Sequence, residues 1–94
     1  MKNKWRIFIS ESARKDFYNL DLDLQKRIKL SLNELKENPF KKRSKTDIKK
    51  LKGAKNPAFY RLRVGNCRII YTVEVKEVKI TRILPRKKAY SWLD

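Results

Sequence analysis

Four arginines and a tyrosine, Arg61, Arg63, Arg68, Arg86 and Tyr90, are the residues of this chain whose types and spacing suit chemistry. Arg61 and Arg63 alternate with Tyr60, Leu62 and Val64, so a strand here projects both arginines from one face and the apolar residues from the other. Gly65-Asn66 reads as a two-residue hairpin turn able to supply positive φ. In the returning run Cys67, Ile69, Tyr71 and Val73 form an apolar face, with Arg68 opposite them. Three guanidiniums then stand close across one hairpin, where like charges on adjacent strands repel unless an anion visits. The alternative is that they splay into water or pair with Glu74 and Glu77. Cys67 and Tyr71 read as core residues.

Past the last apolar run come Pro85, then Arg86, Lys87 and Lys88, with Tyr90 and Trp92 close behind. A cationic cluster beside an aromatic ring suits RNA, because guanidinium holds phosphate while an unstacked base lies on the π face. Either aromatic can equally dock a short C-terminal turn on the core.

Composition points the same way. The chain has 94 residues, and its 26 Lys and Arg against 10 Asp and Glu give a formal charge of +16, the footprint of a polyanionic partner. It contains no histidine, which removes imidazole bases and imidazole metal ligands, and its single cysteine excludes an internal disulfide and a cysteine-only zinc site. Neither cofactor nor metal is expected. Residues 11–38 balance six bases against six acids, whereas residues 41–55 set eight bases, Lys41, Lys42, Arg43, Lys45, Lys49, Lys50, Lys52 and Lys55, against Asp47 alone. The basic side of the fold is the candidate site. The run from Lys41 to Lys45 is expected to be solvated and to add salt-dependent attraction to RNA or ribosome. Lys50 and Lys52 stand apart because Ile48 and Leu51 can anchor their segment beside a sheet.

The elements that must position these residues follow from periodicity. Residues 5–10 alternate as a short strand. Ser10 or Ser12 can cap a helix with Ala13, Phe17 and Leu20 on one face, and Asp21 or Asp23 a second with the stripe Leu24, Ile28, Leu32 and Leu35, stopped at Asn38-Pro39. The two helices are expected to form an antiparallel hairpin. Three strands follow, residues 58–64, 67–75 and 78–84, the last two separated by Lys76-Glu77. One α+β domain spanning residues 1–94 is expected: N-terminal strand, two-helix hairpin, then a three-stranded antiparallel meander, in one sheet with helices on one face and the other face open. No run approaches eighteen apolar residues, so a soluble, cytoplasmic chain without a membrane partner is expected.

Lys50-Leu51-Lys52-Gly53, Tyr60-Arg61-Leu62-Arg63, Gly65-Asn66-Cys67-Arg68-Ile69-Ile70-Tyr71 and Leu84-Pro85-Arg86-Lys87-Lys88-Ala89-Tyr90, in that order and spacing, resemble the RelE/ParE superfamily of toxin-antitoxin toxins. The resemblance covers nearly the whole chain and lies closest to the RelE-like mRNA interferases. It implies a compact toxin silenced by a small RelB-like antitoxin, which cuts messenger RNA in the ribosomal A site. It also implies that Arg61, Arg63, Arg68, Arg86 and Tyr90 occupy the catalytic positions. Many relatives have lysine where Arg61 and Arg63 stand, and often His or Gly where Pro85 stands. ParE-like members instead inhibit DNA gyrase. A non-catalytic ribosome- or RNA-binding module and a toxin that has lost its activity are the remaining alternatives.

Overall fold

The computed structural model describes residues 5–40, 47–51 and 58–93. Its elements run β1 (Arg6–Ile9), α1 (Glu11–Tyr18), α2 (Leu22–Glu37), β2 (Asp47–Lys50), β3 (Phe59–Val64), β4 (Cys67–Glu74), β5 (Glu77–Pro85) and α3 (Arg86–Leu93). The strands form one five-stranded sheet in the order β1-β5-β4-β3-β2. β3, β4 and β5 are the expected meander, and β1 joins its far edge in parallel with β5.

Local chemistry sets the helix starts. Ser10 Oγ accepts from the Ala13 N–H at 3.0 Å and donates to Thr81 O at 2.8 Å, so one hydroxyl both caps α1 and ties it to β5. Asp21 Oδ1 accepts from the Leu24 N–H at 2.9 Å, capping α2. That helix ends at Asn38, next to Pro39, as the sequence predicts. Ala13, Ile28, Leu32 and Leu35 pack with Leu62, Val64, Cys67, Ile69, Tyr71, Val78, Ile80 and Ile83 into the main core. Tyr71 is fully buried, donates its hydroxyl to Pro39 O at 2.8 Å and stacks on Tyr60. Cys67 is buried in the same core, as expected.

Three features depart from the expected fold. First, the lysine-rich segment contributes an edge strand: Ile48 pairs with Leu62 and enters the core, and Lys49 and Lys50 follow it in β2. Its four residues carry too few apolar side chains for the alternation to be visible, and edge lysines suit a strand that must not recruit another chain. Second, the far face of the sheet is not open. The helix α3 covers part of it, with Ala89 packed on Leu51, Ile70 and Leu84 in a second, smaller core. The first turn of α3 is Arg86, Lys87 and Lys88 with no acid, a charge pattern that opposes the helix dipole and hides the helix from local inspection. Third, the last turn is Val75-Lys76, with Lys76 at φ 60°, and Glu77 already belongs to β5. Among the described residues no helix is long and apolar enough to cross a membrane.

The two helices of the expected hairpin are present, but α1 is fastened to β5. Beyond the short β1, the outer edge of β5 would have bare ladder donors. Asp16 takes that place: Oδ2 accepts from Arg82 Nε at 2.7 Å and from the Ile83 N–H at 3.0 Å, and Oδ1 accepts from Arg82 Nη2 at 3.0 Å. Burial pushes this carboxyl up, yet the hydrogen bonds from Arg82 and Ile83, with the charges of Arg82 and Lys88, bring it below its ordinary value of 3.8. A depressed folded-state value makes the stabilisation complete above about pH 4 and removes it as pH falls through that lower value. Asp16→Asn should therefore cost about 1–2 kcal/mol at pH 7, kept low by the partial exposure of the pair. Chemical denaturation of both proteins from pH 7 to pH 2 checks this, and the gap between them should close towards the acid end.

Candidate nucleic-acid interface

The β3–β4 hairpin and the start of α3 build the site. Cα partners place Arg63 directly across from Arg68, and Arg61 across from Ile70, with Lys49 of β2 on the other side of Arg61. Because Leu62, Val64, Cys67 and Ile69 fill the main core, all of these cations project from the opposite face, as the alternation predicts. The chain then leaves β5 at Pro85, which pairs with Cys67, and the Arg86 N–H donates to Asn66 O at 3.0 Å. Arg86 is thereby set against the same hairpin turn that separates Arg63 from Arg68.

The four arginines are not equivalent. Arg63 and Arg86 are exposed, Arg61 is half-buried, and Arg68 is only 4% exposed. Arg68 Nη1 donates to Gly65 O at 3.1 Å and to Cys67 O at 2.9 Å, so part of its hydrogen-bonding capacity holds the turn. The suggestion that the arginines pair with Glu74 and Glu77 fails, because those acids sit at the opposite end of β4 and β5. Glu74 lies 2.8 Å from Lys79, and Glu77 lies 3.5 Å from Arg6.

Lys87 and Lys88 are exposed in the first turn of α3, where they add positive charge to a helix N-terminus. Tyr90 follows Arg86 by four residues, on the same flank of α3, and its side chain lies outside the described residues. Lys49 and Lys50 separate: Lys49 shares the arginine face, whereas Lys50 pairs with Tyr60 and stands on the face covered by the helices. Lys41, Lys42, Arg43, Lys45, Lys52 and Lys55 lie outside the described residues. Arg82, which sequence reasoning did not single out, pairs with Ile70 beside this group and is neutralised by Asp16. Its place depends on the β-bulge in the β4–β5 register, which the alternation of the sequence does not show. Burial pushes the Cys67 thiol up despite the charges of Arg68 and Arg27, so it is no nucleophile. Burial and the neighbouring Tyr60 raise the Tyr71 phenol beyond use as a base.

Comparison with known proteins matches residues 7–90 to the model of the ParE toxin of type II toxin-antitoxin systems, parDE. The chain is a toxin of the RelE/ParE superfamily. Over 87 residues this toxin is 34% identical to Toxin RelE3 of Methanocaldococcus jannaschii, covering 93% of the chain and 97% of that relative. Its fold superposes on a chain of the archaeal RelE-RelB complex from Pyrococcus horikoshii OT3 with a TM-score of 0.77 and 30% identity, covering 88% of this chain and 96% of that one. The RelB-RelE antitoxin-toxin complex from Methanococcus jannaschii gives 0.74 and 33%, over 90% and 96% of the respective chains. The toxin thus matches a ParE family model while these three relatives carry RelE names.

The unequal burial of the arginines separates folding from surface chemistry. Arg68→Ala should lower stability by about 1–3 kcal/mol, since it leaves the Gly65 and Cys67 carbonyls without that donor. Arg63→Ala and Arg86→Ala should unfold within about 0.5 kcal/mol of the parent. Urea denaturation of the three variants checks this.

Proposed function

We propose that this toxin is a ribosome-dependent endoribonuclease that cuts messenger RNA in the A site and so inhibits translation in the cytoplasm. The observation that carries the proposal is the convergence of Arg61, Arg63, Arg68 and Arg86 on one hairpin end. Cleavage by attack of a ribose 2′-hydroxyl on the adjacent phosphate needs a base for the 2′ proton, cations for the phosphorane and an acid for the leaving 5′ oxygen. Guanidiniums held by a sheet and a helix start suit the second need, because they offer fixed donors to charge that develops in the transition state. Arg63 and Arg86, being exposed, can reach phosphate directly, whereas Arg61 is half-buried and Arg68 buried.

Arginine stays protonated, so proton transfer falls to another group. Tyr90, on the flank of α3 that carries Arg86, is the candidate for stacking on or orienting the substrate and for moving its proton. Lys52 is a second candidate, while Lys50 stands on the wrong face of the sheet. A site with fixed cations and no strong base gains most from a substrate positioned by something else, and the ribosome supplies that. Free RNA should therefore be cut negligibly. Lys49, Lys87 and Lys88 would add salt-dependent attraction to the RNA.

The match to the ParE model favours one second reading, inhibition of DNA gyrase through contacts of the same basic face. Primer extension on a defined messenger RNA, with and without programmed ribosomes, separates the two. Cuts confined to the A-site codon, dependent on ribosomes and reduced about 100-fold in Arg86→Ala, are the expected result. Intact RNA in every lane together with loss of supercoiling by gyrase would replace it with the second reading.

The relatives from Pyrococcus horikoshii and Methanococcus jannaschii are seen in complexes with RelB. A RelB-like antitoxin, acidic or with an amphipathic helix, is accordingly proposed as the partner of this toxin, covering the basic face or the helical side. Addition of the purified partner should abolish ribosome-dependent cleavage. A bound partner that leaves cleavage intact would overturn the assignment.

A further inference from the structure

The hairpin turn is touched from a third side, by a residue whose segment is electrically balanced in the sequence. Arg27 of α2 lies over Gly65: a Cβ built on that glycine would stand 2.9 Å from Arg27 Nη1, 3.3 Å from Cζ and 3.4 Å from Nη2. The guanidinium thus lies in close contact with the turn, Nη1 nearest. A guanidinium is a planar fork of donors that suits phosphate, and this one is held beside the hairpin tip. Arg27 is exposed, and among the described residues it forms no ion pair. Gly65 permits the approach, since it has no Cβ and takes φ 56°. The turn is therefore surrounded. Arg68 donates to Gly65 O, the Arg86 N–H donates to Asn66 O, Arg63 stands one residue before the last of β3, and Arg27 lies on Gly65.

We infer that Arg27 is a phosphate-binding residue, which carries the arginine site around the hairpin tip onto α2 and holds a second phosphate of the RNA strand whose neighbour sits among Arg63 and Arg86. This rests on the RNA reading of the arginine face. Arg27 is a binding residue and not a catalytic one: it stands beyond the turn from the sheet arginines and strengthens ground state and transition state alike. Its charge is held at a defined place by the turn, unlike that of a lysine on a solvated face.

The test is binding of a fluorescein-labelled single-stranded RNA to the purified full chain, followed by anisotropy from 0.1 to 1 M salt. One lost phosphate contact on a single strand lowers the slope of log affinity against log salt by about 0.7, so Arg27→Ala should bind about fivefold more weakly at 0.1 M salt and equally at 1 M. Arg27→Lys should regain most of the slope. Lys36→Ala, the same charge change at the far end of α2, should leave it as in the parent. Thermal melting of each variant accompanies the binding, with Arg27→Gln as the replacement should the alanine variant fold poorly. An Arg27 variant that binds like Lys36→Ala overturns the inference, whether or not its melting temperature falls, and leaves Arg27 as a clamp on the turn. Arg63→Ala distinguishes the levels of failure. Loss of affinity there but not at Arg27 overturns this inference alone, and no loss at either position overturns the RNA reading with it.

Discussion

Gly65 and Asn66 reverse the chain between β3 and β4 in two residues, and that reversal decides where the cations stand. A turn this tight needs positive φ at its first position, which Gly65 supplies at 56°. It fixes the register of the hairpin, and with it the pairing of Arg63 against Arg68. A slip of β4 by one residue would send Arg68 into the main core and Cys67, Ile69 and Tyr71 to the other face. The turn also presents its carbonyls outward, where Arg68 and the first residue of α3 bind them. Repulsion among the guanidiniums is thus opposed locally by peptide dipoles, and the cluster can persist before any anion arrives.

The central strand explains how a small chain holds such a cluster rigidly. Residues 67–72 of β4 are buried on both faces, because α1 and α2 cover one side and α3 the other. Ile70 and Leu84 supply the apolar seat for Ala89, so the helix that carries Arg86, Lys87, Lys88 and Tyr90 is anchored on the strands that carry the other arginines. A helix with three cations in its first turn gains little from its own dipole. Burial of its apolar face against the sheet is what keeps it helical, and the cations left at its start are a suitable place for phosphate. Structure and candidate function meet in the same few contacts.

A bulge in β5 matters as much as the turn. Ile70 pairs with Arg82 but Tyr71 pairs with Ile80, leaving Thr81 as the extra residue. Strict alternation would put Leu84 on the same face as Val78 and Ile80. With the bulge, Ile83 joins Val78 and Ile80 in the main core and Leu84 turns to the second one. The same shift exposes the Arg82 side chain and the Ile83 N–H to Asp16 at the sheet edge, so one inserted residue both redirects the core and fastens α1.

Much of this was legible in the residues. The helix caps, narrowed to Ser10 or Ser12 and to Asp21 or Asp23 and chosen by the structure as Ser10 and Asp21, the stop at Asn38, the meander and the common face of Arg61, Arg63 and Arg68 follow from local rules: an oxygen three residues before a bare N–H, a proline that disfavours helix before it, a period of two. β2 and α3 were not legible, since four residues rich in lysine and eight residues opening on three cations carry no local preference strong enough to announce them. Their conformation comes from partners distant in sequence, Leu62 for Ile48, and Ile70 with Leu84 for Ala89. Arg27 shows the same division in charge. Counted along the chain, it belongs to a neutral segment, yet the fold lays it on the hairpin turn beside the sheet arginines. By itself the sequence determined which residues alternate, where the first two helices begin to within two residues and that the chain would attract anions, because these depend on neighbours a few bonds away. Which face is covered and which further cations join the arginines were decided only by the tertiary structure, because apolar burial and electrostatic fields act through space.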